Sequence, residues 1–241
     1  MTARRSLEGE VAIVTGAGRG IGRAVARAFA AEGAAVVLAS RTRAELASTA
    51  EEIRAAGGNA LAIPTDVREE RDVGALVDET VGRFDRLDIL VNAAGAASFG
   101  PVADAKADEW DAMIAVNLRG AMLASRAVLR PMLRRKRGTI IAIASIAARR
   151  PIAGCAAYAA TKAGLIAFCR TLAEEVRPAV RVCVLLPGAV DTPLWDAIGG
   201  GPDRARMLKP EDVARAAVLM ATLPESATLE ELTLMPAGGI L

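Results

Sequence analysis

The chain has 241 residues, of which 53% are apolar and 3% aromatic, and its formal net charge is +2. This length and composition suit one α/β domain over residues 1–241 with an aliphatic core, and they exclude a disordered chain. The chain contains no histidine, which excludes Ser-His-Asp and Cys-His triads and imidazole metal sites, and we expect no metal.

Short β-branched runs alternate with longer amphipathic stretches along the chain. The predicted strands cover residues 11–15, 35–39, 60–63, 89–91, 139–144, 180–186 and 232–235. The predicted helices lie near residues 20–32, 43–56, 69–84, 107–135, 156–176 and 210–223. This order predicts βαβ units, and therefore a Rossmann-type, doubly wound α/β fold with a mostly parallel seven-stranded sheet and helices on both faces.

A glycine-rich turn follows the first predicted strand and leads into the first predicted helix. Backbone that approaches a pyrophosphate closely needs residues without side chains, and the helix amino terminus then offers free N–H groups. A strand, a glycine turn and a helix in this order predict a dinucleotide site, although a tight structural turn is the alternative. The residues predicted to form this site are Gly16, Gly18, Arg19, Gly20, Ile21 and Gly22.

The end of the second predicted strand indicates which dinucleotide binds. An acidic residue at this position holds the ribose of NAD, whereas an arginine suits the 2′-phosphate of NADP. The strand ends in Ser40 and Arg41, and no carboxylate follows before Glu45. A hydroxyl and a guanidinium both donate to phosphate, so the sequence favours NADP(H), with NAD as the alternative and solvated surface arginines as the non-functional interpretation.

The only tyrosine, Tyr158, is followed four residues later by Lys162. On a helix these side chains share a face, and a nearby ammonium group lowers the pKa of a phenol. The pair can therefore exchange protons in a chain without histidine, although an ordinary helix face is the alternative. Further along, residues 191–209 include three consecutive glycines, and we interpret them as a mobile lid, with an ordinary surface loop as the alternative.

Several motifs together resemble those of the short-chain dehydrogenase/reductase family over essentially the whole chain. The first two are the glycine turn, with the pattern Thr15-Gly16-x-x-x-Gly20-x-Gly22, and Tyr158-Ala159-Ala160-Thr161-Lys162. The same resemblance extends to Asp66-Val67, Asn92-Ala93-Ala94-Gly95, Asn117, Ser145, and Pro187-Gly188 followed by Val190 and Thr192.

The resemblance implies a catalytic set of four residues. Tyr158 exchanges a proton with the substrate oxygen, Ser145 hydrogen-bonds that oxygen, Lys162 lowers the pKa of Tyr158 and holds the nicotinamide ribose, and Asn117 supports a proton-relay water. It also implies cofactor contacts from Asp66, Val67, Asn92, Ala93, Ala94, Gly95, Tyr158, Lys162, Pro187, Gly188, Val190 and Thr192. Structural interpretations stay open for some of them: Ser145 as a hydrogen bonder at a strand end, Asn117 as a backbone brace, and Asp66 as a helix cap.

By the same resemblance the substrate lies over the strand ends. The residues expected to contact it are Ser145, Ala147, Cys155, Tyr158, Gly188, Leu194 and Trp195. This small, apolar wall suits an uncharged ketone, aldehyde or secondary alcohol, and the expected activity is NADP(H)-dependent carbonyl reduction or alcohol oxidation. A 3-oxoacyl-[acyl-carrier-protein] reductase is one alternative, because Arg126, Arg130 and Arg134 form a basic stripe. A non-catalytic NADP-binding regulator is less favoured, because such proteins usually lack the tyrosine or the lysine.

The remaining sequence features concern location and assembly. The N-terminal stretch has no apolar signal segment, no apolar run reaches the ~18 residues of a membrane span, and basic and acidic residues alternate. We therefore expect a cytoplasmic protein with no membrane or nucleic-acid partner. The cysteines, Cys155, Cys169 and Cys183, are expected to be buried thiols. Apolar positions on several sides of the helices over 107–135 and 156–176 suggest a homotetramer or dimer.

Overall fold

The computed structural model describes residues 6–239. Residues 1–5, which belong to the stretch predicted to lack a signal segment, and residues 240–241 lie outside the described part. The strands are β1 Val11–Thr15, β2 Ala35–Ser40, β3 Asn59–Pro64, β4 Ile89–Asn92, β5 Thr139–Ile143, β6 Arg181–Pro187 and β7 Glu231–Leu234. The helices are α1 Gly20–Ala31, α2 Arg43–Ala55, α3 Glu70–Phe84, α4 Ala107–Met113, α5 Ala121–Arg135, α6 Ala156–Val176, α7 Leu194–Ala197 and α8 Pro210–Thr222.

The seven strands form one sheet in the order β3-β2-β1-β4-β5-β6-β7, and every neighbouring pair is parallel. The predicted doubly wound fold is therefore confirmed. Strands β2 and β3 are added on one side of β1 and strands β4 to β7 on the other, and this change of side opens a crevice at the carboxyl ends of β1 and β4.

Helices cover both faces of the sheet because its strands are aliphatic on both sides. In β1, Ala12 and Val14 belong to the core shared with α1 and α8, whereas Ile13 belongs to the core shared with α3, α5 and α6. Such burial on both faces explains why the strands read as unbroken apolar runs rather than alternating ones. The three cysteines are buried free thiols, as expected.

The long helix predicted over residues 107–135 is not uniform. Between α4 and α5 the segment Ile114–Gly120 is a π-helix, a form that often occurs at functional sites. By length and composition alone, Ala107–Arg135 could cross a membrane. We assign it to the core, because Leu123, Val128 and Met132 of α5 pack with the sheet and a core helix passes the same test.

The region predicted to be irregular, residues 191–209, contains α7 and a 3₁₀ turn, Arg204–Arg206. Arg204 pairs with both Asp191 and Asp196, so an arginine late in the segment holds its first half. The Trp195 indole N–H donates to the Val190 carbonyl at 2.8 Å. These contacts order the segment locally, and its mobility stays a prediction.

An ionic cluster lies at the amino ends of the strands, opposite the crevice. The buried Asp88 carboxylate accepts hydrogen bonds from the Val11 backbone N–H at 2.9 Å, from Arg86 at 2.7 Å and from Arg135 at 3.0 Å. Arg86 also pairs with Glu10 at 3.5 Å. The cluster joins β1, the start of β4 and the end of α5, far from the ends of the strands where ligands bind.

Candidate active site

One large cleft, with a volume of about 530 Å³, lies at the carboxyl ends of the strands. Its lining contains all of the predicted cofactor and substrate residues except Asn92, and it contains three of the four predicted catalytic residues. Asn117 is the exception among the four. The cleft therefore brings together segments that are far apart in the chain, from Gly16 to Met235.

The glycine turn leaves no room for side chains. Gly16 has φ of 67°, and a Cβ atom there would lie 2.8 Å from the Ala94 Cα. Gly20 also has positive φ, at 54°, directly at the start of α1. The backbone therefore stays open toward the cleft at the amino terminus of a helix, which suits a phosphate group.

Thr15, which was not among the predicted site residues, joins this turn to the next strand. Its hydroxyl oxygen accepts hydrogen bonds from the backbone N–H groups of Ala93 and Ala94 at 3.1 and 3.2 Å. The side chain of Thr15 is buried at the end of β1. Thr15 thereby holds the loop after β4 against the glycine turn, so the distance between these two parts of the cleft wall is fixed.

A polar group without a partner marks the end of β2. The Ser40 hydroxyl is buried and finds no hydrogen-bond partner within residues 6–239. It lines the cleft beside Arg41, and Arg19 of the glycine turn lines the same cleft. A buried hydroxyl normally has a partner, so this one is available to a bound polar group. These donors and the open glycine turn fit a dinucleotide that carries an additional phosphate.

The Glu45 side chain also lies beside Ser40 and the glycine turn, and the sequence analysis did not predict this. A Cβ atom on Gly18 would lie 2.8 Å from a Glu45 carboxylate oxygen and 3.1 Å from the Ser40 hydroxyl oxygen. Glu45 lies 4.0 Å from Arg19. The first turn of α2 brings this carboxylate back over the glycine turn, although it comes after the end of the strand. A negative charge therefore lies beside the donors that suit a phosphate.

Asp66 and Val67 line the cleft after β3, as expected. The Asp66 carboxylate accepts hydrogen bonds from the Arg68 backbone at 3.0 Å and from the Arg68 guanidinium, and these bonds lower the pKa of Asp66. The residue at the N-cap position of α3 is Glu69. The alternative in which Asp66 caps the helix is therefore wrong, because the Asp66 carboxylate is hydrogen-bonded to Arg68 instead.

The two predicted asparagines are buried, and their side-chain amides are hydrogen-bonded within the protein. The Asn92 amide donates to the Ser125 hydroxyl at 3.1 Å, so it faces α5 and lies outside the cleft. The Asn117 amide accepts from the Ala96 N–H and donates to the Ala96 carbonyl, both at 2.8 Å, and also donates to the Thr161 hydroxyl at 3.1 Å. Both amide hydrogens of Asn117 are thus used to fix the loop after β4 against α6.

Ser145, Tyr158 and Lys162 line the same part of the cleft. Ser145 follows β5, and its hydroxyl oxygen accepts from the Ala147 N–H at 3.2 Å. Tyr158 and Lys162 lie one turn apart on α6. The Lys162 ammonium donates to the Ile143 carbonyl at 2.8 Å and lies 5.8 Å from the centre of the Tyr158 ring.

Burial dominates the acid–base properties of this group. It raises the pKa of Tyr158 to about 12, while a hydrogen bond with Ser145 acts in the opposite direction. Burial also lowers the pKa of Lys162 to about 8. The expected lowering of the Tyr158 pKa by Lys162 is therefore not seen in this structure, because the same dehydration disfavours the charged forms of both groups.

Phe99 is a second residue that sequence reasoning missed. Its ring meets the Tyr158 ring edge to face, with 5.5 Å between centroids, and meets the Trp195 ring at 6.0 Å in a similar geometry. The predicted substrate residues Ala147, Cys155, Gly188, Leu194 and Trp195 line the cleft with it. The sequence contains one signal that could have drawn attention to Phe99: aromatic residues are scarce, and the chain has only four phenylalanines.

Comparisons with known proteins agree with this geometry. A family model described as short chain dehydrogenase matches residues 10–201. The chain is 37% identical to a 3-oxoacyl-[acyl-carrier-protein] reductase of Synechocystis sp., with 98% of each chain covered. It superposes with a TM-score of 0.88 on an alcohol dehydrogenase from the archaeon Thermococcus sibiricus complexed with 5-hydroxy-NADP, at 33% identity over 95% of this chain and 97% of that one. A metagenomic short-chain oxidoreductase in complex with NADP gives a TM-score of 0.85 at 38% identity over 96% and 99% of the two chains.

Proposed function

The chain belongs to the short-chain dehydrogenase family of oxidoreductases, and we propose that it interconverts a ketone or aldehyde and the corresponding alcohol with NADP(H). One observation carries this proposal: Ser145, Tyr158 and Lys162 line the same cleft as an open glycine turn. Proton-exchanging groups and a dinucleotide site in one cleft are what hydride transfer to a carbonyl requires.

The proposed cofactor is NADP(H) rather than NAD(H). The unpartnered Ser40 hydroxyl, Arg41 and Arg19 are suited to hold the additional phosphate. Pro187, Gly188, Val190 and Thr192 line the same cleft and are proposed to contact the nicotinamide end. The structures of the archaeal alcohol dehydrogenase and of the metagenomic oxidoreductase contain NADP or a derivative of it, which supports this choice. NAD remains the alternative, because Glu45 lies beside Ser40.

The nicotinamide supplies or accepts the hydride when the cofactor is bound, and the residues of the chain manage the charge on the substrate oxygen. With a pKa of about 12, Tyr158 keeps its proton at neutral pH and can donate it to the oxygen during reduction. The Ser145 hydroxyl donates a second hydrogen bond to the same oxygen. Lys162 is mostly cationic at pH 7, and its charge stabilises the tyrosinate that remains.

Asn117 is proposed to be a positioning residue. Its amide holds Ala96 and Thr161, and Thr161 in turn donates to the Tyr158 carbonyl at 2.8 Å. This chain of bonds fixes the loop after β4 relative to the turn of α6 that carries Tyr158. The proton-relay water implied by the family resemblance stays part of the proposal.

A 3-oxoacyl-[acyl-carrier-protein] reductase is the second candidate, because the Synechocystis relative carries that name. Docking of an acidic carrier needs a basic surface on α5. Arg126 on that helix pairs with Glu70, which reduces the positive charge available there. Arg130 and Arg134 are exposed on the same helix and are the residues whose replacement by glutamate tests carrier docking.

The first experiment titrates purified protein with NADPH and NADH and then assays NADPH oxidation with ketones, aldehydes and a 3-oxoacyl carrier substrate. We expect NADPH to bind more tightly and at least one carbonyl compound to be reduced. Tyr158→Phe should abolish turnover while NADPH still binds, because only the hydroxyl is lost. Retained turnover in this variant would contradict the proton-donor role, and binding of neither cofactor would contradict the whole proposal.

We also propose that the protein is a homotetramer or dimer. Ile114, Met122 and Leu133, which lie on the continuous helical stretch from α4 to α5, expose large apolar side chains. Exposed apolar side chains on one helix are a common feature of interfaces between subunits. Light scattering at several concentrations tests this proposal, and a constant mass of 24.9 kDa would contradict it.

A further inference from the structure

Aromatic side chains gather at one end of the cleft. The chain has four phenylalanines, two tryptophans and one tyrosine, and Phe99 contacts both Tyr158 and Trp195 in the cleft that Ser145 also lines. The planes of the paired rings cross at 76° and 62°, so neither pair is stacked face to face. A flat group bound beside these rings can therefore add a stacking or edge contact of its own.

The position of Phe99 is fixed from both sides by backbone contacts. Three residues before it, Ala96 is held by the Asn117 amide. One residue after it, the Gly100 N–H donates to the Gly154 carbonyl at 2.9 Å, in the loop that leads to α6. The ring is thus held in place by the same segments that position Tyr158, rather than by a free loop.

All but one of the charged side chains that line the cleft lie at its other end. Among the described residues, the charged side chains that line it are Arg19, Arg41, Glu45, Asp66 and Lys162. The first four belong to the glycine turn and to the segments after β2 and β3, and Lys162 donates to a backbone carbonyl. Arg149, an arginine close to Ser145 in the chain, pairs with Glu231 at 2.8 Å. Apart from the Lys162 ammonium, which lies 5.8 Å from the centre of the Tyr158 ring, no charged side chain of the described residues lines the aromatic end of the cleft.

We infer that the substrate is an uncharged ketone with an aromatic ring next to its carbonyl carbon, and that Phe99 and Trp195 recognise this ring. The inference rests on the proposed function, since it names the substrate class of the same site. Tyr158 and Ser145 hold the carbonyl oxygen, and the two neighbouring rings lie where a group attached to the carbonyl carbon has to go. Phe99 is accordingly a specificity-determining residue of the reaction.

The test compares two ketones of similar size, acetophenone and cyclohexyl methyl ketone, with NADPH as reductant. The measured quantity is the ratio of the two kcat/KM values, in wild type and in Phe99→Leu, Phe99→Tyr and Trp195→Leu. Intrinsic reactivity and any general effect on Tyr158 cancel when the ratio of a variant is divided by that of the wild type. The matched control is Phe84→Leu, a partly buried phenylalanine of α3 that does not line the cleft.

We expect Phe99→Leu to lower the aryl-to-alkyl ratio by about threefold to tenfold, the range that loss of one aromatic contact gives. Trp195→Leu should lower it similarly, whereas Phe99→Tyr and Phe84→Leu should keep the wild-type ratio. An unchanged ratio in both leucine variants that still bind NADPH would overturn the aromatic recognition and leave the proposed function intact. Failure of the wild type to reduce any carbonyl compound would overturn both.

Discussion

Replacing Glu45 with glutamine tests how the cleft distinguishes its two possible cofactors. A Cβ on Gly18 would lie 2.8 Å from the Glu45 carboxylate and 3.1 Å from the Ser40 hydroxyl, so these two oxygens are at most about 6 Å apart. Glutamine keeps the volume and removes only the charge. The substitution should therefore tighten NADPH binding, because a phosphate held by Ser40 no longer faces a carboxylate.

The size of the effect depends on the distance between the Glu45 carboxylate and a phosphate bound by Ser40, for which we take about 6 Å, the upper limit of the distance between the two side-chain oxygens. Two unit charges about 6 Å apart repel each other by roughly 0.7 kcal/mol in bulk water and by roughly 3 kcal/mol at an effective dielectric constant of about 20. The Glu45 side chain is 36% exposed, which favours the lower part of this range. We expect about 1 kcal/mol, which corresponds to a roughly fivefold lower Kd for NADPH.

The assay is a fluorescence titration of wild type and Glu45→Gln with NADPH and NADH. NADH is the internal control, since it lacks the phosphate, and its affinity should stay the same or fall. The gain for NADPH should shrink between about 0.1 M and about 1 M salt, because the Debye length falls from about 10 Å to about 3 Å. Unchanged or weaker NADPH binding at low salt would refute the placement of the phosphate beside Ser40.

Three further predictions concern the same site and its scaffold. Ser40→Asp should weaken NADPH binding by about tenfold relative to NADH, because a carboxylate replaces a donor at the proposed phosphate position. Equal effects on the binding of both cofactors in a titration would contradict this prediction. Because the pKa of Lys162 is about 8, kcat/KM for reduction should fall as the pH rises through 8 and the Lys162 cation loses its proton. Below that pH, kcat/KM should level off. A pH profile of kcat/KM that stays flat to pH 9.5 would contradict this prediction. Asp88→Asn should lower the free energy of unfolding by about 2 kcal/mol without changing NADPH affinity, because partly buried Arg86 and Arg135 lose their anion at the edge opposite the cleft. Its control in urea denaturation is Glu225→Gln, whose carboxylate pairs with Arg137 but is 84% exposed, and an equal effect of both changes would show that burial of Asp88 is unimportant.

The strands and their assembly into a doubly wound sheet were predictable from the sequence because their apolar runs are buried on both faces. The predicted strand over residues 11–15 matches β1, and the one over 60–63 is longer by one residue at each end in β3. The helix over 107–135 was predicted as one element, because hydrophobic periodicity does not distinguish an α-helix from a short π segment within it. The π-helical form of Ile114–Gly120 is recognised only from its backbone hydrogen bonds in the structure.

The parts of the site that were missed depend on contacts between segments that are distant in the chain. Glu45 comes after the end of β2, and only the path of α2 returns its carboxylate to Gly18. Phe99 lies in a loop without a motif, and its place beside Tyr158 depends on hydrogen bonds to Asn117 and Gly154 made by its neighbours. Chemistry that follows a strand end directly is readable from sequence, whereas side chains that arrive through folded loops are not.

The parallel sheet also sets the order in which a newly made chain can assemble. In the first half, β1 pairs with β2 through Val11 and Ala35, and β2 pairs with β3, so these strands can join as they leave the ribosome. The next pair, β1 with β4, brings Ala12 against Ile89 and requires a much longer loop to close. Until β4 arrives, one edge of β1 keeps its backbone groups unpaired in an aliphatic strand, which is a template for aggregation. A pause in synthesis before residue 89 would therefore prolong the exposure of that edge, and it is the segment that we expect a chaperone to shield.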